Sequence, residues 1–230
     1  MTARRRLWRC RTPGAASLTV LLAVFGAGAC SVGTGIGSVT SDNLLIEGCW
    51  HGIFDLRPTF FGANPYLNTL TIRVQRGERD IPVSDGITML VNDVSGIRAN
   101  GLGQELLLGL PIGVSPVGYP LPPVPNPPAA SLSLYLNQSC RAQNSAIYSV
   151  DGRVVFDSLF SGDRNEDNAE DRLTRGHFWA TVVDPRDAMP AAAPVTDGGV
   201  PYEYPADKTS RIEGSFEFYF HRGTPAQPFP

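Results

Sequence analysis

Several patterns that usually carry chemistry are missing from this 230-residue chain. No CxxC or HxxxH spacing occurs, which argues against a zinc site. The three histidines, His51, His177 and His221, have no spacing that would let them share a metal, and each alternates away from its bulky apolar neighbours, so they read as strand-surface residues. No long amphipathic helix is present. A nucleophile elbow is absent too: "GVSPVG", Gly113–Gly118, has the wrong spacing and puts Pro116 where the following helix should begin. No acid pair can be placed across a cleft from sequence alone. The sequence is expected to belong to a protein that binds or builds rather than one that catalyses.

Basic residues are scarce outside the first eleven positions. Setting aside Arg4, Arg5, Arg6, Arg9 and Arg11 leaves 14 basic residues against 22 acidic ones, a balance of −8. Phosphate binding needs a basic face, so no nucleic-acid partner is expected.

No apolar run is long enough to span a bilayer comfortably, which takes about 20 residues. The nearest, Ala15–Ala29, follows the arginine head and ends in the small residues Ala27, Gly28 and Ala29. Charged head, apolar middle and small end are the three parts of a secretory signal, here residues 1–29. The stretch Ala27-Gly28-Ala29-Cys30 resembles the lipobox of bacterial lipoprotein precursors, with Ala27 where that pattern prefers Leu. The resemblance covers the first thirty residues. It implies cleavage before Cys30, a diacylglycerol on its thiol, and anchorage to a membrane of the cell envelope. Ser31, rather than Asp, follows the cysteine, which in enteric lipoproteins goes with the outer membrane. Arg4-Arg5-Arg6-Leu7-Trp8 also resembles the twin-arginine export pattern, so the route of export stays open between that and the general one.

Only four cysteines occur. On the lipobox resemblance Cys10 would leave with the signal and Cys30 would take the lipid, which would leave Cys49 and Cys140 as one pair. In an oxidising compartment such a pair is expected to be a disulfide.

Residues 31–43, "SVGTGIGSVTSDN", are rich in Gly, Ser and Thr, and residues 30–43 read as a lipidated, flexible tether. Residues 44–230 read as one all-β domain, a single antiparallel sandwich or partly open barrel of about eight to nine strands. "RIEGSFEFYFH" places Ile212, Gly214, Phe216, Phe218 and Phe220 on one face. Leu70, Ile72 and Val74 share a face in "NTLTIRVQR", as do Leu132, Leu134 and Leu136 in "SLSLYLN", and Trp50, Gly52, Phe54 and Leu56 in "GCWHGIFDL". "GITMLVNDV", "AIYSV", "RVVFDSLF" and "RLTRGHFWATVV" are further strands, and Gln104–Leu108 is a single turn or a strand. Asp151-Gly152 predicts a tight hairpin between two apolar runs. Pro111–Pro128 holds eight prolines and reads as a stiff crossover; residues 185–210 form a second long loop. Recognition of a protein or glycan partner is expected on these loops.

Asp163, Asn165, Asp167 and Asp171 in "DRNEDNAED" fall at offsets 1, 3, 5 and 9, the spacing at the start of a calcium loop. Thr174 stands where the closing bidentate Glu belongs, and the flanks are strands. The alternatives are a bound calcium ion or a solvated acidic hairpin tip. Gly48-Cys49-Trp50 is similar to the opening of the lipocalins, barrels that carry small apolar ligands. That resemblance implies a cavity lined by Trp50, Phe54, Phe216, Phe218 and Phe220. The primary expectation remains a non-enzymatic lipoprotein that displays its domain to a partner.

Overall fold

The computed structural model describes residues 35–77, 83–114, 127–140, 146–192 and 202–220. Twelve strands lie along them: β1 (Gly35–Ile46), β2 (Trp50–Leu56), β3 (Phe60–Tyr66), β4 (Thr69–Arg76), β5 (Asp85–Val91), β6 (Leu106–Gly109), β7 (Ala130–Leu136), β8 (Ala146–Ser158), β9 (Leu173–Val183), β10 (Met189–Pro190), β11 (Tyr202–Glu203) and β12 (Ser210–Tyr219). Ten of them form one sheet in the order β2-β1-β12-β9-β8-β6-β7-β5-β4-β3, and β10 and β11 pair separately. Neighbours are antiparallel except β6 and β7, which run parallel, so the sheet is mixed. Among the described residues the one α-helical turn, α1 (Val94–Gly96), continues into a wider turn over Ile97–Gly101. Among the described residues no helix is long and apolar enough to cross a membrane.

The alternating strands fold as their pattern dictates. On β12, Ile212, Phe216 and Phe218 are buried while Arg211, Glu213 and Ser215 are exposed. Leu70, Ile72, Val74, Leu132, Leu134, Leu136, Phe54 and Leu56 enter the same continuous core. The sheet curls until its arms meet. Phe61 on β3 packs against Phe218 on β12 with ring centroids 5.8 Å apart.

Four expectations are corrected. Residues 35–43 are not tether: they begin β1, which pairs with β12 on one side and β2 on the other. Their glycines serve close packing. A Cβ on Gly35 would lie 2.6 Å from the Glu217 carbonyl oxygen, and one on Gly37 2.7 Å from that of Ser215. Asp151-Gly152 is no hairpin, because β8 runs unbroken through it as a 13-residue strand paired along β9. The pairing shifts register there, and Gly152, at φ +155°, sits so close to β9 that a Cβ would be 2.3 Å from the Trp179 carbonyl oxygen. The main sheet has ten strands rather than eight or nine: β1 begins inside the expected tether and β3 arises where no strand is expected, while two expected runs fuse into β8. Finally, residues 185–210 are not loop throughout, since β10 and β11 pair within them. Residues 115–126 of the proline-rich stretch and residues 193–201 lie outside the described residues.

Gln104–Leu108 resolves as the approach to β6, which fills the gap where β7 and β8 part. Ser149, fully buried, closes that junction. Its hydroxyl donates to the Gly109 carbonyl at 2.6 Å and accepts from the Leu132 amide at 2.9 Å.

Candidate functional site

Cys49 follows a tight turn in which its amide donates to the Ile46 carbonyl at 2.9 Å, with Gly48 at φ +72°. The turn brings its sulfur to disulfide distance of Cys140, with Cα atoms 5.5 Å apart. Trp50 packs edge-on against Phe54, and an open groove of about 380 Å³ runs past Leu45, Gly48, Cys49, Trp50, His51 and Lys208. Lys208 donates to Glu47 at 3.0 Å, and that hydrogen bond holds its ammonium above the usual lysine range. Cys30 and His221 lie outside the described residues, and so does Ser115.

The residues of the calcium expectation are not drawn together into a cation cage. Asp171 is taken by the Arg98 guanidinium, which also donates to the Leu159 carbonyl. Hydrogen bonds from Arg98 and from Asn168 Nδ2 hold the Asp171 carboxyl below its usual range. Asp163 accepts from the Asn165 amide at 2.9 Å, as a turn-forming side chain does. Among the described residues no three His, Cys, Asp or Glu side chains converge as a metal site. His51 and His177 both face outward and are exposed.

The lipocalin resemblance implies a closed barrel around a cavity. The sheet has two edges instead, β2 and β3, and is not closed. The aromatic side chains of the supposed lining fill the interior: Phe216 packs on Phe156 and Phe218, and Phe220 stacks on Phe160 at 4.1 Å.

Two polar features escaped sequence reading. On the face of β4 and β7 away from the main core, the side chains of Arg73, Gln75 and Tyr135 are buried together with Ser84, and Asp85, paired opposite Arg76 and Leu136 on the other face at the start of β5, is buried as well. Asp85 accepts from the amides of Gln138 (2.9 Å) and Ser139 (3.0 Å), from the Ser139 hydroxyl (2.6 Å) and from Arg76 (2.9 Å). The Tyr135 hydroxyl donates to Gln75 Oε1 at 2.9 Å, and burial pushes its pKa up to about 12. Arg73 and Gln75 alternate with apolar residues and so read as a wet face. The counter-signal was the small or hydroxylated company on adjacent strands at Gly86, Thr88, Ser131 and Ser133.

The second feature is an exterior cleft of about 280 Å³, lined by Thr40, Ser41, Asp42, Asn43, Thr209, Ser210, Arg211 and Glu213. It opens where β1 bulges between Ser41 and Leu44 and its ladder with β12 ends at Thr40. Two hydroxyls stitch the parting strands: Ser41 donates to the Arg211 carbonyl at 2.6 Å, and Ser210 accepts from the Leu45 amide at 2.8 Å. The Arg211 guanidinium lies over the Trp179 ring, 4.5 Å from its centroid. The cleft thus offers hydroxyls, an amide, carboxylates and one cation on a rigid sheet, a set suited to a polar, hydrogen-bonding partner.

No family model, curated protein or solved structure matches the chain.

Proposed function

We propose that this protein is a non-enzymatic lipoprotein of the bacterial cell envelope, held to the outer membrane by acylated Cys30, whose β domain meets a protein or glycan partner. The observation that carries this reading is the Cys49–Cys140 pair at disulfide distance, which fits an oxidising space outside the cytosol. The signal-like head and Ala27-Gly28-Ala29-Cys30 supply the route and the anchor. We read the curled sheet as a sandwich whose layers run β3-β4-β5-β7 and β8-β9-β12-β1-β2; the Phe61–Phe218 packing supports it. The polar cleft beside the β1 bulge is the partner surface in this account, with Arg211, Glu213 and Asn43 as the recognising groups.

The experiment is an intact-mass measurement on protein purified from its native membrane. The expected species begins at Cys30, carries the mass of diacylglycerol, and is two hydrogens light for one disulfide. A chain starting elsewhere without added hydrocarbon, or one with free Cys49 and Cys140, overturns the proposal.

A further inference from the structure

The β3–β4 hairpin tip is built to display apolar side chains. Leu67 is 89% exposed and Tyr66 71% exposed. Leu67 also holds a left-handed backbone, φ +51°, which Leu adopts only under constraint. The constraint is visible next door. Asn68 donates to Asp93 Oδ1 at 2.7 Å, its own Oδ1 accepts from the Ser95 amide at 2.9 Å, and its carbonyl accepts from the Val94 amide at 2.9 Å. Asp93 shares the left-handed conformation, φ +51°. Two uncommon backbone conformations and three hydrogen bonds therefore fix a tip whose outermost residue is a leucine in water.

The tip lies at the end of the sheet where the chain enters it. Phe61 covers Gly35, the first residue of β1. From there β3 runs toward Pro65, which sits against Gly162; Phe160, two residues before Gly162, stacks on Phe220, just past the end of β12. Leu67 thus lies past Gly35 at this end, six residues of strand beyond Phe61, a reach of at most about 20 Å at the usual rise. Ile36, 71% exposed, faces outward at the same end, diagonal to exposed Tyr219. Cys30 precedes Gly35 by five residues, a step of at most about 18 Å whatever its conformation. A bilayer holding Cys30 can therefore lie no farther from the entry end than about 18 Å, a distance of the same order as the reach of the tip.

We propose that Tyr66 and Leu67 insert into the lipid surface to which the protein is anchored, so that the domain is docked at two points rather than swinging from one. The inference rests on the anchor reading above. The neighbouring acidic loop, with Asp163, Glu166 and Glu170, disfavours an anionic surface, so the lipid is zwitterionic.

The test is the acylated protein carrying Leu67→Trp, reconstituted in phosphatidylcholine vesicles with brominated acyl chains. Ile53→Trp on the outer face of edge strand β2 serves as the control, and Tyr66→Trp as a second reporter should Leu67→Trp fold poorly. Interfacial side chains sit about 5–10 Å into the headgroup–acyl boundary, so emission added at position 67 or 66 falls at least about twofold while that at 53 is unchanged. Equal quenching at all three positions, or none at the tip in protein shown by mass to be acylated, overturns the proposal. So does a tip that stays wet on vesicles yet is shielded in native envelopes, which assigns it to a protein partner. If Cys30 proves unacylated, coupling its thiol to a maleimide lipid repeats the measurement, and quenching at 67 then sustains the tip while the natural anchor falls.

Discussion

Phe61 lies directly over Gly35: a Cβ added to that glycine would stand 3.0 Å from the ring's Cδ2 atom. Edge strand β3 thus clasps the first turn of chain inside β1, two elements separated by β2 in sequence and by most of the sheet in hydrogen bonding.

A first prediction concerns that strand. A flexible tether can be trimmed without effect, whereas β1 supplies Val39, Leu44 and Ile46 to the core and pairs on both edges. A chain beginning at Ser31 is expected to melt cooperatively, and one beginning at Asn43 to show no cooperative transition by calorimetry or circular dichroism. Equal melting of the two would mean that residues 35–42 contribute nothing.

Gly152→Ala tests the register shift in β8. The new methyl meets the backbone of Trp179 and Ala180 rather than a side chain that can move. The expected loss is about 2–3 kcal/mol in urea unfolding, since overpacking against backbone has no cheap relief. A neutral effect would place Asp151-Gly152 in an open turn.

Tyr135 sets an alkaline limit. Its pKa is about 12 in the fold because burial disfavours the phenolate, against 10.0 for a free tyrosine. The folded value is the higher, so the native state is undisturbed below pH 10 and loses stability as pH climbs toward 12. The loss is about 2–3 kcal/mol across that window. Unfolding followed at fixed alkaline pH should show it in the natural chain and show less of it in Tyr135→Phe. That variant gives up the bond to Gln75 at neutral pH, at a cost of about 1 kcal/mol.

Reduction of Cys49–Cys140 is the fourth case. The pair closes a separation of 91 residues and ties the β1–β2 turn to the end of β7. Reduced protein, or the Cys49→Ser/Cys140→Ser double variant, should unfold with about 2–5 kcal/mol less stability. An unchanged midpoint under reductant would show that the sulfurs are not bonded in solution.

The strands that were legible were those with one apolar and one polar side. Phe216 and Phe218 alternate with Glu213, Ser215 and Glu217, and period two leaves no other reading. β1 was illegible because its close contacts select glycine and serine, the same residues that make linkers. β3, "FFGANPY", carries a glycine and a proline, and as an edge strand it tolerates both. Asp151-Gly152 has the composition of a hairpin; only the proximity of β9 makes that glycine a bulge. Of the candidate site residues, the Cys49–Cys140 pairing followed from counting. Asp85, Gln75 and Tyr135 did not, because polarity in one strand reads as exposure until strands far away in sequence supply its partners.

Because β12 lies between β1 and β9, β1, the first strand among the described residues, waits for β12, the last of them, as its neighbour. Its other partner, β2, makes only a two-stranded ribbon with it, marginal by itself in water. The nascent molecule therefore carries an unsealed, aggregation-prone seam until β12 has been made. A message cut short of β12 would yield a product that never closes that seam.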